Sequence, residues 1–268
     1  MCLLIAMFHV VPDAPLIVAA NRDERLDRPA VPMTVLRESD PRILGGRDEL
    51  AGGTWLAVNE HGVVAGLTNQ PSADGRDPAK RSRGELPLAF AKYHTAADAV
   101  AAVAAELDPA AYNPCWMLVG DRESLFFVGI SGGSVAEVEQ LAPGLHVLEN
   151  APLHPISAKA AFVRGLITDA LRAQHMDDAS ATISALRTVL GDHRPAVLEP
   201  TDAMGRVWPA SVSAACVHAE GYGTRSAMIV SVPAAAVGAA PVVTVADGRP
   251  CEEPMYDVTA LWTAVPRT

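Results

Sequence analysis

The chain has 268 residues, half of them hydrophobic, which is enough apolar material for a substantial core and favours one continuous domain, 1–268. A formal net charge of −10 argues against nucleic acid as a partner, because phosphate binding needs clustered Lys and Arg. No apolar run reaches the roughly 18 residues of a membrane span, and the start of the chain lacks the basic residues and small-residue cleavage site of a signal peptide, so a cytoplasmic protein is expected.

Cys2 opens the apolar run 3–11. The turn Pro12, Asp13, Ala14, Pro15 and the apolar stretch 16–20 then complete a hairpin that returns Asn21, Arg22 and Asp23 towards the start of the chain. Residues 55–58 and 63–68, joined by a turn over 59–62, predict a second hairpin. Helical spacing follows over 84–93, with Pro87 near its start, and Thr95 is a candidate N-cap for an alanine-rich helix over 96–106. The short runs 115–119, 124–130, 133–139 and 145–149, separated by Gly, Asp and Pro, predict an antiparallel meander. A second helical pair is expected over 157–172 and 179–190, with closing strands at 212–218, 226–232 and 242–246. Periodicity alone establishes α+β, and this order of elements suits a four-layer αββα sandwich.

Removal of Met1 would leave the Cys2 thiol beside a free α-amino group. With a pKa of about 8, such an amine is partly neutral near pH 7 and can accept the thiol proton. The plainer reading is a small apolar residue starting a strand. The other cysteines, Cys115, Cys216 and Cys251, are widely scattered without paired spacing, which argues against a zinc site or a disulfide framework and reads as packing. His61 lies in a predicted turn, and His146, His154 and His218 are isolated, so neither a metal nor a cofactor is implied. Arg76, Lys80, Arg81 and Arg83 fall in a Pro- and Gly-containing loop that could border a pocket for an anion, although a solvated loop is the commoner outcome. Gly52 and Gly53 read as a turn entering a strand, with exposed backbone amides near a pocket as the alternative. Asn69, at a strand end, is either a substrate contact or a turn former.

The stretch Asn21, Arg22, Asp23, Glu24 spells the signature of the NRDE family, the transport-and-Golgi-organisation proteins. The resemblance continues through Gly52, Gly53, Thr54, Trp55, Leu56 and Gly66, Leu67, Thr68, Asn69, and through Arg83, Gly84, Glu85, Leu86. Further blocks are Tyr112, Asn113 with Met117, Leu118, Val119, Gly120, Asp121, and Tyr222, Gly223, Thr224, Arg225. Ordered blocks across nearly the whole chain are more specific than one four-residue word. The resemblance implies a fold like that of N-terminal nucleophile hydrolases of the penicillin V acylase and choloylglycine hydrolase type. In its terms Cys2 matches the nucleophile, Asp23 the carboxylate that holds the terminal amine, Asn150 the oxyanion-hole asparagine, Arg225 the late arginine near the centre and Lys159 the following basic residue. Asn21, Arg22, Thr68 and Asn69 are then substrate-binding candidates. One departure matters: that group carries an arginine immediately before its Asn-x-Asp pattern, whereas this chain has Ala20 there and Arg22 inside the pattern. Strand alternation puts Arg22 on the face opposite Asn21 and Asp23 unless a bulge intervenes.

The implied function is hydrolysis of an acyl amide through an acyl-cysteine, with a small acyl amide or lipid-like ligand. The alternative, also implied by the family, is a non-catalytic lipid- or haem-handling protein on the same scaffold. A redox thiol at Cys2 would need a nearby partner cysteine, and the sequence spacing offers none. Oligomeric state is not legible.

Overall fold

The computed structural model describes residues 2–72, 75–133, 135–174, 178–201, 207–234 and 239–263. In chain order the strands are β1 (Cys2–Val11), β2 (Ala14–Arg25), β3 (Ala30–Arg37), β4 (Ile43–Asp48), β5 (Leu56–Asn59), β6 (Val64–Asn69), β7 (Cys115–Gly120), β8 (Leu125–Ile130), β9 (Glu137–Gln140), β10 (Gly144–Leu148), β11 (His218–Ala219), β12 (Tyr222–Val232), β13 (Val242–Ala246) and β14 (Tyr256–Asp257). The α-helices are α1 (Glu85–Phe90), α2 (Ala96–Glu106), α3 (Ala158–Gln174) and α4 (Ala179–Leu190).

Among the described residues the strands form two seven-stranded sheets. Sheet A runs β10-β1-β2-β12-β13-β14, with β11 paired to β12, and sheet B is a sequential meander from β3 to β9. Alternation along β1 explains the layering. Leu3, Ile5 and Met7 pack with Val163, Ile167, Leu186 and Val189 of the α3 and α4 layer. Leu4, Ala6 and Phe8 point the other way, into the core shared with Leu56, Val64 and Leu118 of sheet B. The far face of sheet B, through Ala65, Met117 and Val128, packs on Phe90, Ala99 and Val103 of α1 and α2. The result is a four-layer αββα sandwich, as expected. Among the described residues no helix is long and apolar enough to cross a membrane.

Local chemistry sets the helix limits. The Thr95 side chain accepts from the Asp98 N–H at the start of α2, and the Asp178 side chain accepts from the Ala181 N–H at the start of α4. At the far end of the sandwich Arg122, in the turn after β7, donates to the carbonyls of His61, Pro233 and Ala239 at 2.7, 2.9 and 2.7 Å, tying the sheet B turns to the loop between β12 and β13.

Three expectations require correction. The run 212–218 is not a strand: a short helical turn spans Ala210–Ser213, and only His218 belongs to β11. The Ser213 hydroxyl bridges the backbone of Val197 and Ala210, and the Val217 N–H bonds the Thr224 hydroxyl, so side chains satisfy the backbone where a ladder would. The expected meander ends at β9, because β10 crosses to sheet A beside β1. The pair β3 and β4 was not anticipated at all. It carries Pro32 on an edge strand and two consecutive glycines, Gly45 and Gly46, all weak strand signals.

Candidate active site

Cys2 begins β1, which lies between β10 and β2, and its register partner on β2 is Arg22. Cross-strand partners share a face, so the thiol and the guanidinium both point between the sheets, towards a cavity of about 270 Å³ that they line with Trp55, Asn69, Arg76 and Arg83. Arg22 stacks over the Trp55 ring at 4.4 Å and lies 3.7 Å from Asp48 Oδ2, while Arg28 donates to the same oxygen at 2.8 Å. The loop holding Arg76, Arg81 and Arg83 does border the cavity. Gly52, with φ of +68°, also lines it. Gly53, φ +77°, abuts Gly84 so closely that a Cβ would meet the Gly84 carbonyl at 2.4 Å. Two of the sequence blocks therefore meet by glycine-to-glycine contact.

Burial pushes the Cys2 thiol above the ordinary range, and the nearby Asp23 charge adds to this; the Asp23 backbone N–H on the sulfur and the Arg22 charge act in the opposite direction. The equilibria of Arg22 and Arg83 both respond to Cys2. Cys115, buried near Arg83, is pushed up to about 12 by its burial.

The opposite face of β2 carries Asn21 and Asp23. The Thr224 hydroxyl donates to Asp23 Oδ1 at 2.6 Å, the buried Lys159 ammonium lies 3.9 Å from Oδ2, and the Tyr222 hydroxyl donates to the Asp23 carbonyl at 2.9 Å. Burial raises the Asp23 pKa, opposed by Lys159 and by the Thr224 hydrogen bond. Asn150 bridges the sheets: its Oδ1 accepts from the Cys2 N–H at 2.8 Å, and its Nδ2 donates to the Asn69 carbonyl.

The structure thus brings Cys2, Arg22, the Asp23 backbone, Asn69 and Asn150 together, and it takes three candidates elsewhere. Arg225, expected beside the thiol, sits at a bulge in β12 and donates to the carbonyls of Arg25 and Arg28, each at 2.9 Å. It does not line the cavity, and Arg22 is the arginine that faces Cys2. Asn21 is fully buried under α4, with Nδ2 donating to the carbonyls of Leu190 and Ala215 at 2.8 Å each, so it staples elements together instead of facing a ligand. Thr68 is buried between the sheets, off the cavity, and its hydroxyl has no hydrogen-bond partner among the described residues. Sequence reasoning passed over Trp55 and Thr224 as site residues, although each stood inside a quoted block, and weighed Arg83 only as one member of the basic loop. It also read Cys216 and Cys251 as isolated, whereas the fold brings their sulfurs to 3.6 Å.

These four layers, with a cysteine opening an inner strand at a cavity between the sheets, are the fold of the N-terminal nucleophile hydrolases. Solved structures of that fold superpose on the chain. The Caenorhabditis elegans orthologue of N-acylethanolamine-hydrolyzing acid amidase gives a TM-score of 0.51 at 12% identity, covering 85% of this chain and 92% of its own. A mutant conjugated bile acid hydrolase from Clostridium perfringens gives 0.55 at 9% identity, covering 96% and 92%. Within that class the chain belongs to the Transport and Golgi organisation 2 family, whose model matches residues 1–237. Transport and Golgi organization protein 2 homolog of Homo sapiens is 30% identical over 254 residues, covering 87% of this chain and 89% of the relative. The Mus musculus homolog is 29% identical over 262 residues with the same coverage.

Proposed function

We propose that the protein is an N-terminal-cysteine amidohydrolase for small acyl amides that carry an anionic group. The observation that carries the reading is that Cys2 and Arg22 face a cavity whose wall holds Arg28, Arg76, Arg81 and Arg83 beside Glu24 and Asp48, with Asn150 bonded to the Cys2 N–H next to it. Loss of Met1 turns the nitrogen now held by Asn150 Oδ1 into a free amine that can take the thiol proton. The thiolate, favoured by Arg22 and the Asp23 N–H, attacks the amide carbonyl. Asn150 Nδ2, by exchanging the Asn69 carbonyl for the developing oxyanion, would contribute about 3 kcal/mol. The C–N bond breaks, the leaving nitrogen takes the proton from the Cys2 ammonium, and water then hydrolyses the thioester. Asp23, fixed by Thr224 and balanced by Lys159, is the carboxylate that would hold the Cys2 ammonium after proton transfer. The arginine wall binds the anionic end of the substrate as paired guanidinium–carboxylate contacts.

A panel of N-acyl amides with carboxylate-bearing and neutral amine halves, given to Met1-free protein verified by intact mass, tests this. The expected result is an acyl adduct on Cys2, turnover restricted to anionic members, and turnover abolished in Cys2→Ala with an unchanged melting temperature. Turnover surviving in Cys2→Ala, or Met1 retained in the native protein, would overturn it. The competing reading, a non-catalytic lipid- or haem-handling protein, draws support from two facts: burial raises the thiol pKa, and the Asn150 amide already has a partner.

A further inference from the structure

Four residues converge behind sheet A, on the other side of β2 from the cavity opening. Cys216 lies between the helical turn Ala210–Ser213 and β11, His218 opens β11, Cys251 sits in the turn after β13, and His193 follows α4. Cys216 Sγ is 3.6 Å from both Cys251 Sγ and His218 Nε2, and His218 Nε2 is 3.2 Å from Cys251 Sγ. The ligand atoms of His193, His218 and Cys251 all lie within 4.8 Å of one another, and the two imidazoles meet edge-on with centroids 5.4 Å apart. We propose that Cys216, His218, Cys251 and His193 form a tetrahedral Cys2His2 site for Zn2+.

Bond lengths decide for a metal over casual proximity. With Zn–S of about 2.3 Å and Zn–N of about 2.0–2.1 Å, a tetrahedron separates two sulfurs by about 3.8 Å and a sulfur from a nitrogen by about 3.6 Å. The observed 3.6, 3.6 and 3.2 Å separations among Cys216, His218 and Cys251 need adjustments of only a few tenths of an ångström, while the exposed His193, whose ligand atom lies within 4.8 Å of those of His218 and Cys251, must swing inward further to close the tetrahedron. The outer groups agree as well. His218 turns Nε2 to the sulfurs while its Nδ1 lies 3.9 Å from Glu252 Oε1, close enough that a small movement would give the carboxylate–histidine pair that fixes the tautomer of a zinc ligand. Glu252 is itself held by Arg249 at 3.2 Å. Two thiolates and two neutral imidazoles balance the charge of Zn2+, which suits a half-buried position.

The site would clamp a loop that the cavity depends on. Val217, between two of the ligands, donates its N–H to the Thr224 hydroxyl and accepts the Thr224 N–H at its carbonyl, and that hydroxyl donates to Asp23. Ala215, two residues earlier, accepts from Asn21 at its carbonyl. A metal tying Cys216 and His218 to Cys251 and His193 therefore fixes the backs of Asn21 and Asp23 without entering the cavity. The site stands whether or not Cys2 is catalytic.

Full-length protein, reduced and stripped of metal, is titrated with Co2+ and then with Zn2+. Expected are about one equivalent of tightly bound Co2+, thiolate-to-cobalt charge-transfer absorption with the visible bands of tetrahedral Co2+, and displacement of both by Zn2+. Cys251 and His193 are exposed, so Cys251→Ser and His193→Ala retain the fold, checked by circular dichroism. Cys251→Ser should abolish the charge-transfer pattern of two thiolates and His193→Ala should weaken Zn2+ at least about tenfold, with Glu252→Gln weakening it by a similar factor. The proposal is overturned if the reduced protein gives no charge-transfer band, if the band is unchanged in Cys251→Ser, or if the cysteines only form a Cys216–Cys251 disulfide on oxidation and bind no metal when reduced.

Discussion

Arg22 occupies the position from which a cation can hold a Cys2 thiolate, and its face follows from alternation. Positions 20 and 22 share one side of β2, as Ala20 packs in the inter-sheet core and Arg22 pairs with Cys2. An arginine moved two residues along the strand therefore still points at the thiol. Because Arg22 lowers a thiol pKa that burial has raised, removing it must raise that pKa further. Arg22→Ala is expected to shift the pH midpoint of Cys2 alkylation to more alkaline values, so that labelling at pH 7 slows while Cys115, held up to about 12, stays unlabelled in both proteins. Peptide-resolved mass spectrometry across a pH series reads this directly, and an unmoved midpoint would remove Arg22 from the site. At this scale the sequence made Cys2, Arg22 and Asn150 legible by motif and order. The carbonyl partners of Asn21 and Arg225 were not legible, since 169 and 194 residues of chain separate Asn21 from the groups it bonds.

Elements announced themselves where side chains cap or alternate, as at Thr95, and stayed hidden where a neighbour imposes the shape. Strand β4 is such a case: its Gly46 lies flat because Trp55 covers it, and an added Cβ would meet the indole at 2.1 Å. Gly46→Ala should cost about 1–3 kcal/mol by overpacking and, by lifting Trp55 from beneath the Arg22 guanidinium, slow Cys2 alkylation too. Gly165, inside α3 with nothing within 4 Å of a Cβ, gives the opposite sign: Gly165→Ala should stabilise by about 0.5–1 kcal/mol. Thermal melts of the two variants compare them, and equal shifts would mean the glycines in β4 are tolerated for propensity and not required by packing. The thiols in the 216–218 loop and the turn after β13 could not be paired from spacing, because sheet order, not chain distance, makes them neighbours.

The whole molecule is acidic while five arginines line its cavity beside Asp23, Glu24 and Asp48, so net charge argued against nucleic acid and said nothing about the ligand. The two sheets are joined by Asn150 at the cavity end and by Arg122 at the other. Arg122→Ala strands three carbonyls and should destabilise the fold by about 2–3 kcal/mol, a fall in Tm of about 4–12 °C for a chain of this size, with Cys2 alkylation unchanged below the transition. A melting temperature within a degree of the parent would show that apolar packing alone holds the sheets together. The pairing of Cys2 with Arg22 also constrains how such a chain can drift over evolutionary time. An insertion or deletion of one residue within β1 or β2 would rotate the thiol or the guanidinium into the helical layer, whereas a change of two restores the face. Length variation in these strands is therefore confined to even steps, and descendants that keep the cavity should differ there by pairs of residues while the surface loops vary one at a time.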